Sequence, residues 1–442
     1  MIDHSDYKRR LLKAIPGGAH TYSRGYDQYP ENAPQIFERG EGAYAYTPEG
    51  DKFLDFGMAL RSVNIGYAQR EIVEAAYKYM GFGNNLTRPS TIELEAAERL
   101  IATIPSVDMV KFTKNGSTAV TAAVKLARGY TGKDRVLVCA DHPFFSYDDW
   151  FIGSTSIQKG IPQDTVSHTL KFQYNNIDSV KTAIAQGDGN VACLVMEPAT
   201  VTHPVPSESV EGENFLHDVQ RLCRQYGIVL ILDEMITGFR WGLSGAQGYY
   251  GIEPDLCTFG KAMANGFSVA AVAGRRELMA LGSIEKAGDE RLFLLSSTHG
   301  AEMNGLGAFV ATMNYLEENQ VIQGNWEKGQ RFIDLFNQLS QAQGVSDYYG
   351  ASGIACSPLL TVVDSDGRAC PALRTLLMQE LIKEKVLMPW VSIAHAHGDA
   401  EFEKLRLALV TAFAHCDQVI RRGGVQAAIE GDTVKPVFRK YN

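Results

Sequence analysis

Apolar and polar positions follow two rhythms along this chain, and the switches between them mark its elements. Short, nearly unbroken apolar runs at Met109–Thr113, Arg135–Cys139, Val191–Met196, Ile228–Leu232, Leu256–Phe259 and Val269–Ala273 read as strands. Between them, Ser117–Tyr130, Ile177–Ala185 and Asn214–Tyr226 carry helical spacing, as do Glu71–Met80 and Ile92–Ile104 upstream. Strands that are apolar throughout and alternate with amphipathic helices predict an α/β fold. Its sheet is mostly parallel and covered by helices on both faces. Near the start, Tyr44 and Tyr46, then Phe53, Leu54 and Phe56, flank the turn residues Thr47-Pro48-Glu49-Gly50-Asp51, which predicts a small hairpin. After a long helix near Ala301–Glu317 the pattern becomes α+β and closes on a helix over Lys404–Arg421. The expected division is an N-terminal arm and hairpin (1–68), a large domain (69–318) and a smaller C-terminal domain (319–442).

Composition narrows the classes. A chain of 442 residues that is 45% hydrophobic and 21% charged can build a large core without disulfides or a structural metal. A net charge of −9 disfavours a nucleic-acid or anionic-membrane binder. No apolar run approaches the ~18–20 residues of a membrane span, and Met1–Arg10 is polar, without a signal-peptide core. The seven cysteines, at 139, 193, 223, 257, 356, 370 and 416, include no CxxC pair. They read as reduced core thiols, so we expect a cytoplasmic protein with no metal site.

In parallel sheets ligands gather beyond the carboxyl ends of the strands, and here those ends carry a pattern. Met109–Thr113 is followed by Lys114-Asn115-Gly116-Ser117-Thr118, opening straight into a helix. Arg135–Cys139 leads to Asp141-His142-Pro143-Phe144-Phe145-Ser146, and Val191–Met196 to Glu197-Pro198. Ile228–Leu232 leads to Asp233-Glu234, and Leu256–Phe259 to Gly260-Lys261. Gly116 lets the backbone approach a phosphate, Ser117 and Thr118 add hydroxyls, and the helix start supplies N–H donors. Asp233 follows an apolar run, and a buried carboxylate is costly unless a cation or strong donors meet it. Lys261 is placed to lose its proton by desolvation and act as a nucleophile. Taken singly, each has a plainer reading: a helix cap, a solvated turn at Asp233-Glu234, core phenylalanines, a satisfied loop histidine at His142. Their ordered occurrence at successive strand ends points instead to the protein side of pyridoxal phosphate chemistry.

Asp233-Glu234-Met235-Ile236-Thr237-Gly238-Phe239-Arg240, Pro254-Asp255-Leu256 and Phe259-Gly260-Lys261 resemble the signature of the class III (fold type I) pyridoxal-phosphate-dependent aminotransferases, over nearly the whole chain. Ile15-Pro16-Gly17-Gly18 and Thr131-Gly132 resemble the branch that contains glutamate-1-semialdehyde aminomutase. The resemblance implies a large cofactor domain, a small domain built from both chain ends, and a homodimer with shared active sites. It implies that Lys261 is the Schiff-base lysine and Asp233 the partner of the pyridinium nitrogen. Gly116 and Ser117 fall in the phosphate loop, Met235 beneath the ring, and Thr298 on a segment reaching the neighbouring subunit's phosphate. Arg24 falls at a substrate-carboxylate position.

Two departures stand out. Thr118 replaces the glutamate of the family's Asn-Ser-Gly-Thr-Glu-Ala motif, and the Tyr-His-Gly segment becomes Phe144-Phe145-Ser146, so that either Phe144 or Phe145 stacks on the ring. The expected reaction is a ping-pong transamination through a Lys261 Schiff base, from an amino-acid donor to a keto or aldehyde acceptor. The alternative is an intramolecular 2,1-aminomutase.

Overall fold

The computed structural model describes residues 6–199, 201–285 and 287–441, and the chain divides into two compact units. One comprises the chain up to Gln69 together with Gln323–Arg439; the other is essentially Arg70–Ile322.

The larger unit is built on a seven-stranded sheet. Across it the strands run Met109–Thr113, Ala270–Gly274, Leu256–Phe259, Val229–Glu234, Val191–Met196, Arg135–Cys139 and Thr169–Phe172. Ala270–Gly274 is antiparallel to both neighbours, and the other pairings are parallel. Every residue of Val191–Met196 and Val229–Glu234 is buried, because each face of the sheet carries its own core. Val136, Val138, Cys193, Val195, Val229 and Ile231 pack on one side, with Ala119, Val120 and Ala123 of the helix Gly116–Thr131. Leu137, Cys139, Leu194, Met196, Leu230 and Leu232 pack on the other, with Phe215, Leu216 and Val219 of the helix Phe215–Tyr226.

The mostly parallel α/β sheet expected from the sequence is therefore present. Two features differ from the sequence reading. The edge strand Thr169–Phe172 was not anticipated, since only Phe172 of its four residues is buried and its apolar pattern is weak. The last strand is the antiparallel one, a direction that its uniformly buried Ala270–Gly274 does not encode.

The smaller unit holds the expected hairpin. Arg39–Glu41, Tyr44–Tyr46 and Lys52–Asp55 pair antiparallel, and Val386–Leu387 adds a parallel strand from the far end of the chain. Phe56, Phe332, Phe336, Leu376, Leu405 and Phe413 form part of the core beneath them. Immediately after this sheet Met58, Ala59, Leu60 and Arg61 take φ of 40, 47, 62 and 66°, a left-handed turn without a glycine. Such a conformation costs roughly 1–2 kcal/mol per residue. Asp55 holds the approach to it: Oδ1 accepts from the N–H groups of Gly57 (2.6 Å) and Met58 (3.3 Å), and Oδ2 from the Tyr67 hydroxyl (2.6 Å).

Among the described residues no helix is long and apolar enough to cross a membrane, and all seven cysteines are free thiols.

Candidate active site

Asp233 lies near the carboxyl end of a strand whose positions are all buried. Its Oδ1 accepts from the Met235 N–H (2.9 Å) and the Thr258 hydroxyl (3.2 Å). Burial pushes the carboxyl up to about 6, opposed first by the charge of Lys261 and then by these two hydrogen bonds. Thr258 is its in-register partner on the adjacent strand, and Lys261 follows three residues later. Lys261 opens a short 3-10 turn with φ of 42°. A left-handed lysine is a strained conformation of the kind held at functional sites by the surrounding structure.

The helix Gly116–Thr131 starts beside them. Asn115 caps it, Oδ1 accepting from the Thr118 N–H (2.9 Å) and hydroxyl (3.0 Å). A Cβ on Gly116 would lie 2.7 Å from Met235 Sδ, and one on Gly260 2.6 Å from the same atom. The Met235 thioether thus fills a notch between the helix start and the chain just before Lys261, and a Cβ on either glycine would have to displace it. Ser117 Oγ accepts from the Tyr147 N–H (3.2 Å), and the Tyr147 hydroxyl lies 3.4 Å from Thr118 Oγ1. The loop after Arg135–Cys139 is therefore laced to the helix start. On that loop Phe145 is 2% exposed and packs against Phe151, whereas Phe144 is 43% exposed. Of the two candidate ring platforms, Phe144 is the accessible one. His142 is buried and its Nδ1 accepts from the Glu197 N–H (3.0 Å); burial lowers it to about 4, so it is a satisfied neutral histidine.

Lys261, Asp233, Met235, Gly116 and Ser117 thus come together, with Phe144 on the adjoining loop. Thr298 is exposed on a segment anchored nearby: its carbonyl accepts from Asn85 Nδ2 (2.7 Å), and Glu302 pairs with Lys114 (2.7 Å) just ahead of the helix. Arg24 belongs to the smaller unit. There it lines a cavity of about 570 Å³ with Tyr29, Asp55, Tyr67, Leu60 and Trp390; its backbone N–H donates to the Thr21 carbonyl (2.9 Å), and its charge acts on Asp55. Sequence reasoning missed Thr258 and Tyr147. Thr258 becomes legible once its strand is placed beside that of Asp233, because the register fixes the pair.

Comparisons with known proteins give the family. The family model described as Aminotransferase class-III matches residues 26–357. This chain belongs to the class-III aminotransferases. A curated relative, the 3-aminobutyryl-CoA aminotransferase of Cloacimonas acidaminovorans (strain Evry), is 32% identical over 85% of this chain and 87% of its own. Among solved structures, a pyridoxal-phosphate form of the FumI protein of Sphingopyxis sp. MTA144 superposes with a TM-score of 0.83 at 24% identity, covering 96% of this chain and 97% of its own. An omega-transaminase from Sphaerobacter thermophilus gives 0.79 at 23%, covering 93% and 97%. The protein is accordingly a pyridoxal-phosphate-dependent aminotransferase with the fold of type I transferases.

The residues of this class-III chain fit that cofactor. Both hydrogen bonds of Asp233 fall on Oδ1, so Oδ2 is left to receive a protonated ring nitrogen. The N–H groups of Gly116 and Ser117 donate to no described residue. Ser117 Oγ already accepts from Tyr147, which leaves its own proton to donate. Together these donors at a helix start fit a phosphate group.

Proposed function

We propose that this aminotransferase works in two half-reactions, taking an amino group from a carboxylate-bearing donor and passing it to a keto or aldehyde acceptor. When bound, pyridoxal phosphate supplies an electron-withdrawing ring that lets an amino group be exchanged. Lys261 Nζ holds the cofactor and moves the proton at the donor carbon. Asp233 Oδ2 keeps the ring nitrogen protonated. Gly116 and Ser117 would bind the phosphate, and Met235 and Phe144 would pack against the ring. The observation that carries this reading is Asp233: a fully buried carboxylate, in the field of Lys261, with one oxygen engaged by the chain and the other not.

Arg24 is the group proposed to read the donor. An arginine on the wall of a cavity can hold a carboxylate through two parallel hydrogen bonds. The likeness to the aminomutase branch supports this placement of Arg24. The proposed reaction nevertheless uses an external donor, in keeping with the aminotransferase activity for which the curated relative is named.

The active unit is proposed to be a homodimer in which Thr298 reaches the opposite subunit's phosphate. In support, Val73, Tyr77 and Met80 lie on one face of the helix Arg70–Met80 and are exposed. Phe82 and Leu86 extend the apolar row. That row leads directly to Asn85, which holds the Thr298 carbonyl. Free, mostly buried thiols support a cytoplasmic setting.

A screen of donors and acceptors, following loss and return of the visible absorbance band, tests the function. A band lost with an amino donor and restored by a separate carbonyl acceptor is the expected result. Conversion of a single substrate with no external donor would favour the aminomutase.

A further inference from the structure

Glu234 follows Asp233, is fully buried, and has no part in the roles above. Consecutive strand residues point to opposite faces, so its carboxylate leaves the strand away from Asp233. There Oε2 accepts from the Thr237 hydroxyl and the Ala246 N–H (2.9 Å), and Oε1 from the Gln247 N–H (2.8 Å) and Nε2 (3.3 Å). Gln247 is in turn 1% exposed and accepts from the Ser106 hydroxyl. The approach is close enough to dictate Gly245, whose φ is 73° and whose Cβ would lie 2.6 Å from Glu234 Oε1.

A solvated turn would need none of this, because water would serve the carboxylate. Burying it is tolerable only with its lone pairs filled, and here four donors fill them. The result is to draw residues 237–247 back onto the strand end. Met235 lies between Glu234 and that tethered stretch. Its N–H meets Asp233 Oδ1, and its thioether fills the notch between Gly116 and Gly260.

We propose that Glu234 is a positioning residue for the cofactor site. By anchoring both sides of the segment that follows it, Glu234 fixes Met235, and Met235 orients Asp233 so that Oδ2 faces the ring nitrogen. The inference rests on the roles proposed above for Asp233 and Met235.

The test is titration of the full-length apoprotein with pyridoxal phosphate, reading the visible absorbance and the visible circular dichroism per bound cofactor. Glu234→Gln keeps the shape but turns an amide NH2 toward N–H donors. Its half-saturation concentration should rise roughly tenfold, the equivalent of about one hydrogen bond. Its visible dichroism per bound cofactor should fall while the far-ultraviolet spectrum is unchanged. A purely fold-stabilising role would lower the melting temperature and leave that dichroism alone. Thr237→Val removes one side-chain donor and should weaken binding about threefold; it decides the matter if Glu234→Gln does not fold. Wild-type affinity and dichroism in the folded variant overturn the proposal. A wild-type protein that develops no visible band overturns instead the reading of the site on which the proposal rests. An impaired Asp233→Asn beside an unaffected Glu234→Gln leaves that reading standing and removes Glu234 from it.

Discussion

Asp55 in the smaller unit and Asp233 in the larger look alike by every coarse measure. Each lies at the end of a strand, each is buried, and burial raises the carboxyl of each against the pull of a nearby cation, Arg24 or Lys261. They differ in where their donors fall. Asp55 has both oxygens engaged, by Gly57 and Met58 on one and Tyr67 on the other. Asp233 has both of its donors on Oδ1. Depth and strand position therefore do not mark a ligand site; an acceptor left over after the chain has satisfied itself does. The first aspartate braces a strained turn, and the second keeps an acceptor that the chain does not use.

The sharpest way to break this contrast begins with the cation itself. Lys261→Ala should lower transamination about 10³-fold or more, within the range for loss of a positioned proton-transfer group. Borohydride should then no longer fix the cofactor to the chain, and cofactor trapped on another lysine would refute the assignment. Next come the two aspartates side by side. Asp233→Asn should slow the donor half-reaction roughly 10²-fold, as for loss of a preorganised charge contact, with cofactor still bound. Asp55→Asn should leave that half-reaction near normal in the folded protein but cost about 1–3 kcal/mol in a denaturant melt. Identical behaviour of the pair would erase the distinction.

A third effect concerns acid. His397, buried in the smaller unit and stacked on Phe56, is lowered by burial to about 4. The unfolded chain takes up that proton first, near 6.5, so the stabilisation is complete above that pH and is lost as pH falls through about 4. The loss amounts to at most ~3 kcal/mol. Asp233 works in reverse in the apoprotein. With its carboxyl raised to about 6, it destabilises the fold at neutral pH, and that cost fades as pH falls toward 4. Melts of wild type and His397→Gln between pH 7 and 4 should show a shallower slope in the variant, and equal slopes would contradict it. A last effect is expected at Arg24. Arg24→Lys should weaken the donor half-reaction by roughly 1.5–3 kcal/mol and a neutral acceptor much less. Stopped-flow on the separate half-reactions reads the difference, and equal losses in both would make Arg24 structural.

Much of this was legible in the chain. The core strands announce themselves because both faces are covered, so their apolar runs are unbroken, and the residues just past them are the ones that converge. What stayed hidden depends on neighbours that sequence does not name. Glu234 reads as the second half of a solvated turn, yet residues 246 and 247 fold back to bury it. Phe144 and Phe145 are chemically equivalent, and both rings meet Phe151 edge-on, until the fold buries one of them and leaves the other exposed. The left-handed run Met58–Arg61 contains no glycine to announce it and is held by Asp55 and Tyr67 from either side.

The antiparallel strand carries a consequence for how the molecule is made. Leu256–Phe259 and Ala270–Gly274 pair across residues 260–269 alone, whereas Ala270–Gly274 reaches Met109–Thr113 across most of the larger unit. Closing a short loop loses little chain entropy and a long one more, so pairs near in sequence form first. Lys261 lies inside that short closure. We therefore expect its seat to belong to the part of the sheet that assembles early, before the helix start at Gly116 is brought alongside. Val272→Ala should accordingly slow refolding, while Val110→Ala should chiefly hasten unfolding.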